Sequence, residues 1–209
     1  MIEAYYPQRF YYIVNWTILG YNLFMPRFYT AVGDDGYTGL LKEGRVPKND
    51  PIIEAVGAID EANAALGLAR SSCQSPLSKS SILTAQRDLY HAMAEVSASP
   101  DNAARFRKVD AERVVWLEAQ IETLSTQVQI PNEFIVPGDS FAGAALDLAR
   151  TVVRRAERHI AGLAHSGVVD NFDLQRYLNR LSSLCFVLEL YENQLSGMRA
   201  PTFARDITS

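Results

Sequence analysis

Apolar residues recur at helical spacing through most of the chain beyond residue 50. Ile53, Val56, Ile59, Leu66 and Ala69 stand three to seven residues apart, with Asn63 on the same stripe, and together they mark one face of an α-helix. Asp50 followed by Pro51 reads as an N-cap with proline at the first helical position, so a helix is predicted over about 52–71. Ile82, Ala85, Leu89, Met93 and Val96 predict a second helix over about 79–97, ended by Ser99-Pro100-Asp101-Asn102. Val114, Leu117, Ile121 and Leu124, behind Asp110 as cap, predict a third over 111–127. A fourth starts near Ser140 and runs to about 165. A fifth covers about 170–195, with Leu174, Tyr177, Leu178, Leu181, Leu184, Cys185, Leu188 and Tyr191 turned inward.

The stretches between these helices are short and broken. Gly33, Gly36, Gly39, Gly44, Pro47 and Pro51 make residues 29–51 read as a loop, or a loop with one turn. Pro131 and Pro137-Gly138 bracket a short extended piece, Glu133 to Val136, and no segment alternates long enough to predict a sheet. The expected fold is all-α, a five-helix up-down bundle preceded by a glycine-rich nucleotide-binding loop. A length of 209 residues, 48% of them hydrophobic, suits one such domain. Residues 26–196 are read as that domain, 197–209 as a C-terminal tail and 1–25 as an extension. Within the extension, residues 10–25 are apolar and aromatic but interrupted by Asn15 and Asn22, and they are short for a bilayer span. They suit a membrane-associated segment, an edge strand or partner-binding arm, or sequence upstream of a start at Met25; the abrupt change in composition at Pro26 favours the last.

Charge narrows the function classes. A net charge of −4 argues against a nucleic-acid binder, and the interrupted apolar run argues against a membrane protein. Cys73 and Cys185 are far apart, outside any zinc-ligand spacing, which points to a reducing, cytoplasmic setting. Against this acidic body stands a local basic patch: Arg150, Arg154 and Arg158 at i, i+4, i+8, with Arg155 beside them and Glu157 three residues after Arg154. Such a ladder clamps a carboxylate or polyphosphate, since each guanidinium donates paired hydrogen bonds, or it is a solvated face with an Arg–Glu pair. The segment Tyr29 to Thr38 combines Gly33 and Gly36 with Thr30, Thr38, Asp34 and Asp35. It suits phosphate and a hard cation such as Mg²⁺, or is a surface turn. It is neither a P-loop nor an EF-hand. No Glu-x-x-His pair supports a di-iron site, and no Gly-x-Ser-x-Gly supports a hydrolase elbow. The loop, Lys48 beyond it and the arginine helix together suggest a nucleoside-triphosphate site without a P-loop or Rossmann sheet.

Six ordered strings carry a resemblance: Y-T-x-x-G-D-x-G-x-T at 29–38, G-R-V-P-K-N-D-P at 44–51, G-A-I-D-E-A-N at 57–63, F-I-V-P-G at 134–138, R-T-V-V-R-R-A-E-R at 150–158 and Y-L-N-R-L-S at 177–182. In these the chain resembles the PduO-type ATP:cob(I)alamin adenosyltransferases. The resemblance implies a homotrimer that transfers the 5′-deoxyadenosyl group of ATP to cob(I)alamin, with Mg²⁺, and active sites between subunits. It implies ATP binding by Thr30, Gly33, Asp34, Gly36, Thr38, Lys48, Arg154, Arg155, Glu157, Arg158 and Asn179, with Arg154 also catalytic. Asp60 and Arg150 match an intersubunit salt bridge. Phe134 matches the aromatic residue that packs below the corrin ring and keeps the lower axial ligand off cobalt. A reductase and an adenosylcobalamin-dependent enzyme are the partners such an activity implies.

The sequence departs from the family's pattern at three places. Ala31 replaces the loop's usual Lys or Arg, Asp139 the second glycine after Pro137-Gly138, and Ser183 the acidic residue after Asn-Arg-Leu-Ser. These leave open a catalytically weakened trimer that carries or senses ATP or adenosylcobalamin, and a purely structural helical oligomer in which the arginines only make salt bridges.

Overall fold

The computed structural model describes residues 29–198 and 200–205, so the readings of the 1–25 extension lie outside the described residues. Its elements are β1 (Tyr37–Leu40), β2 (Lys42–Pro47), α1 (Pro51–Ser72), α2 (Pro76–Ser97), α3 (Pro100–Phe106), α4 (Ala111–Ser125), α5 (Phe141–His165) and α6 (Phe172–Leu195). The five long helices each begin on a polar side chain that accepts from an otherwise unpaired amide. Asp50 accepts from Ile52, Ser75 from Leu77 and Ser78, Asp110 from Arg113, Ser140 from Gly143, and Asn171 from Asp173 and Leu174.

The core forms where α5 packs between α1 and α6, with α2 against α1 and α4 against α6. Its largest members, Ile59, Leu66, Leu146, Ile160, Leu178 and Leu181, are fully buried, each contributing about 1.5–3 kcal/mol by leaving water. Small residues shape the α1–α5 contact: α1 buries Ala55, Ala58 and Ala62, and α5 buries Ala145, Ala149 and Ala156, so the two backbones approach closely. Polar pins fix α6 in this frame. The buried Tyr177 hydroxyl donates to Asp88 Oδ2 at 2.7 Å, and Arg113 Nη2 donates to the same oxygen at 2.6 Å while its guanidinium lies 4.4 Å from the Trp116 ring. Burial pushes the Tyr177 pKa well above its ordinary value, which keeps the hydroxyl a donor. At the other end the Glu192 carboxylate accepts from the Gln74 and Ser75 amides of the α1–α2 link.

Three expectations change. The helices among the described residues number six, because Ser99-Pro100, read as a stop, starts α3: proline is pre-shaped for the first helical turn and its missing N–H costs nothing there. The same device at Ser75-Pro76 starts α2 three residues before the predicted start at 79, inside what reads as a link. Most importantly, residues 29–51 are not only loop. Strands β1 and β2 pair antiparallel, Tyr37 opposite Pro47 and Thr38 opposite Val46, with an irregularity between Gly39 and Leu40. Leu41 N donates to Ser97 O at 2.9 Å, which ties the hairpin to the end of α2. No helix among the described residues is long and apolar enough to cross a membrane.

Candidate functional site

The hairpin gives the glycine-rich loop its shape. Gly36 takes φ +82, and its carbonyl accepts from Lys48 N at 2.9 Å, so the loop closes on Lys48 just beyond the end of β2. The Lys48 ammonium then lies over Gly33, where an added Cβ would come within 3.1 Å of Nζ; glycine makes room for the cation. Ala31 sits at φ +58, a left-handed conformation costing an L-residue about 1–2 kcal/mol.

A brace that sequence reasoning missed holds this turn. Arg45 on β2 donates to Asp35 through two nitrogens, and its Nη2 also donates to the carbonyls of Val32 at 2.6 Å and Tyr37 at 2.8 Å. One guanidinium thus gathers four acceptors across the loop. The pair and the Tyr37 amide, which donates to Asp35 Oδ1, hold the Asp35 carboxyl down to about 2. Asp35 is therefore spent on structure. Asp34 is exposed and its carboxylate engages no partner among the described residues. The signal was present in the sequence as Gly44-Arg45-Val46 ten residues after an aspartate, but it became meaningful only once the strands paired.

On α5 the ladder divides by partner. Arg150 Nε donates to Asp147 Oδ1 at 2.7 Å on its own helix, and Arg155 pairs with Glu61 of α1. Arg158 Nη1 donates to the Arg154 carbonyl at 3.1 Å. Arg154 is exposed, and its guanidinium has no hydrogen bond or ion pair among the described residues. Glu157 and Asn179, from α5 and α6, meet directly, Asn179 Nδ2 donating to Glu157 Oε1 at 3.0 Å. Arg180 extends this network, donating to Asn179 Oδ1 at 2.8 Å and to Glu118 Oε1 at 3.0 Å. Asp60 is exposed on α1 and does not pair with Arg150 within the chain.

The candidate residues fall into two groups: Thr30, Gly33, Asp34, Gly36, Thr38 and Lys48 at the hairpin, and Arg154, Glu157, Arg158 and Asn179 on α5 and α6. No hydrogen bond or ion pair among the described residues joins them. Phe134 stands apart from both, 88% exposed on the extended piece between α4 and α5. Ile135 bridges Phe203 antiparallel, so residues 202–204 form its neighbouring strand.

The remaining reactive groups do not build a catalytic centre. Burial pushes both the Cys73 and Cys185 thiols up to about 12, so neither is a nucleophile. No group of three His, Cys, Asp or Glu residues among the described residues is arranged to hold a metal ion.

The comparisons agree with one another. The family model for cobalamin adenosyltransferase matches residues 28–192. A corrinoid adenosyltransferase PduO from Citrobacter freundii is 38% identical over 166 residues, covering 79% of this chain and 49% of that protein, so the chain spans about half its length. A corrinoid adenosyltransferase from Mycobacterium leprae is 37% identical over 177 residues, covering 81% of this chain and 92% of that one. Among solved structures, a variant PduO-type ATP:corrinoid adenosyltransferase from Lactobacillus reuteri in complex with cobalamin and ATP aligns with TM-score 0.77 at 29% identity, covering 86% of this chain and 97% of that one. With the matched region running from the hairpin through α6, the chain belongs to the cobalamin adenosyltransferase family.

Proposed function

We propose that the protein transfers the 5′-deoxyadenosyl group of ATP to cob(I)alamin, giving adenosylcobalamin and triphosphate. The observation that carries the reading is that, among the described residues, Lys48 over Gly33 and Arg154 and Arg158 on α5 are exposed cations without a carboxylate partner, on two separate parts of the fold. Two copies of the chain, the hairpin of one against α5 of its neighbour, would enclose a triphosphate. A homotrimer supplies three such sites, with Asp60 and Arg150 of adjacent copies as the intersubunit pair.

The chemistry asks for no protein nucleophile. Cobalt(I) attacks the C5′ carbon with its electron pair, the cobalt–carbon bond forms, the C5′–O bond breaks, and its electron pair leaves on the triphosphate. Lys48, Arg154 and Arg158 neutralise and orient that leaving group as its charge develops. Mg²⁺ bound by phosphates needs only one or two protein carboxylates, and the unengaged Asp34 fits that need better than Asp35, which Arg45 holds. Phe134 presents an apolar face where a lower axial ligand would otherwise bind cobalt, which favours a four-coordinate Co(II) that is easier to reduce. A reductase supplies the electron and an adenosylcobalamin-dependent enzyme takes the product. Reduced cysteines and a Co(I) substrate both suit the cytoplasm.

Phosphorus NMR of a complete anaerobic reaction tests the bond that breaks: one inorganic triphosphate per ATP is expected. ADP or diphosphate as the product would overturn the reading.

A further inference from the structure

Residues 134–136 carry Phe134, yet little in the helical frame holds them. They lie between Pro131 and Pro137, and Gly138 follows at φ +129, so no helix reaches them from either side. Their long-range backbone partner is the tail. Val136 N donates to Thr202 O at 2.7 Å and Ala204 N donates to Phe134 O at 2.8 Å. Two ladder bonds on a surface are marginal by themselves, and a slip of one residue would turn Phe203 away from Ile135.

The tail is not seated firmly from beneath either. Under it lies a cavity of about 600 Å³ lined by Val128, Pro131, Leu190, Met198, Pro201 and Phe203. Pro201 and Phe203 border this open space instead of a filled core, so packing constrains the segment only weakly.

Asp139 does. Its Oδ2 accepts from Thr202 N at 2.9 Å and its Oδ1 accepts from Thr202 Oγ1 at 2.6 Å, so one carboxylate takes both donors of one residue. Asp139 directly precedes Ser140, the cap of α5, whose hydroxyl accepts from Gly143 N at 2.9 Å and donates to Asn193 Oδ1 at 2.6 Å. The carboxylate thus stands directly before the cap of the helix that carries Arg154. The connection runs from α5 through Asp139 and Thr202 to the strand opposite Phe134.

We infer that Asp139 is a positioning residue for Phe134: by pinning Thr202 it fixes the register of the tail strand, and the tail strand holds Phe134 where it excludes the lower ligand from cobalt. The inference rests on the role given to Phe134 above. It also gives a task to a residue at which the sequence departs from the pattern that it resembles. Asp139 and Thr202 act through Phe134, so their loss is expected to change the coordination of cobalt and not the use of ATP.

The test measures, in the full-length protein with cob(II)alamin and ATP, the fraction of four-coordinate Co(II) by electron paramagnetic resonance, beside the rates from Co(II) and from chemically reduced cob(I)alamin. Thr202→Val, which removes one of the two hydrogen bonds, should lower the four-coordinate population and the rate from Co(II) by about fivefold, and Asp139→Ala, which removes both, by at least as much, with less than about twofold change in the rate from Co(I) and in KM for ATP. Thr202→Ser keeps both donors and should match the wild type. Wild-type spectra in Asp139→Ala, or equal losses from Co(II) and Co(I), would overturn the inference. Absence of four-coordinate Co(II) in the wild type would instead overturn the role of Phe134 itself, and the inference with it.

Discussion

Arg45 and Asp35 form a two-pronged pair, Nη1 to Oδ2 at 2.8 Å and Nη2 to Oδ1 at 2.7 Å, that closes the glycine-rich loop onto β2. Both side chains are exposed, so the pair adds little to global stability; its effect is on the shape of the loop. Arg45→Ala should raise KM for ATP by about tenfold, as a disordered loop must be ordered on binding, while Tm stays close to that of the wild type. Arg45→Lys should recover only part, because an ammonium cannot match the fork. The Asp35 carboxyl is held below its ordinary value, so this contribution is fully present above pH 4 and fades only as pH falls towards 2. Activity changes between pH 5 and 9 therefore do not come from this pair. Steady-state kinetics against ATP decides it; an unchanged KM contradicts the assignment.

Arg154 is expected to matter most in the transition state, when triphosphate charge grows. Arg154→Ala should lower kcat/KM for ATP by about 10²–10³, the scale of losing one donor to a developing anion. Its guanidinium makes no hydrogen bond or ion pair among the described residues, so circular dichroism and oligomeric state should be unchanged. A variant of normal turnover would remove Arg154 from the site.

Gly143 is a packing requirement. A Cβ built there would lie 2.2 Å from Asn193 Oδ1 and 2.9 Å from its Cγ, so Gly143→Ala must displace the side chain that accepts from Ser140. Destabilisation of about 1–3 kcal/mol is expected, read as a lower midpoint in chemical denaturation. An unaltered midpoint would show that Asn193 relocates freely.

Glu189 titrates near neutrality. It is buried on α6 with both carboxylate oxygens unpartnered among the described residues. Desolvation first, then Asp147 and Asp139 against the opposing Arg150, raise its pKa to about 7. With the folded value above the unfolded one, the folded state binds the extra proton, so this contribution is fully present below about pH 4.5 and is lost as pH rises through 7. Glu189→Gln should therefore leave Tm nearly unchanged at pH 4.5 and raise it at pH 8. A variant no more stable than wild type at pH 8 would show that Glu189 ionises without penalty.

The long helices were legible because their signals are local. Asp50, Asp110 and Ser140 cap them a few residues from the apolar stripes they start. The hairpin was not, because β1 is only four residues long and glycine-interrupted, and its order depends on Arg45 reaching partners 8 to 13 residues away. Lys48, Glu157 and Asn179 could be named from resemblance, and Glu157 and Asn179 do meet. That Arg155 pairs with Glu61 while the Arg154 guanidinium has no partner among the described residues depends on where α1 and α5 pack, which no spacing on α5 alone reveals. Asp139 looked like a defect in the sequence because its partner, Thr202, lies 63 residues away.

The central claim is that the chain forms a cobalt–carbon bond from ATP and Co(I). Its most direct measurement is the anaerobic absorbance of chemically reduced cob(I)alamin with ATP, Mg²⁺ and the full-length protein. Loss of the Co(I) band with growth of the light-sensitive adenosylcobalamin spectrum, at a rate proportional to protein, is the result expected. Persistence of Co(I) while ATP and corrinoid both bind would contradict the account and leave a carrier in place of an enzyme.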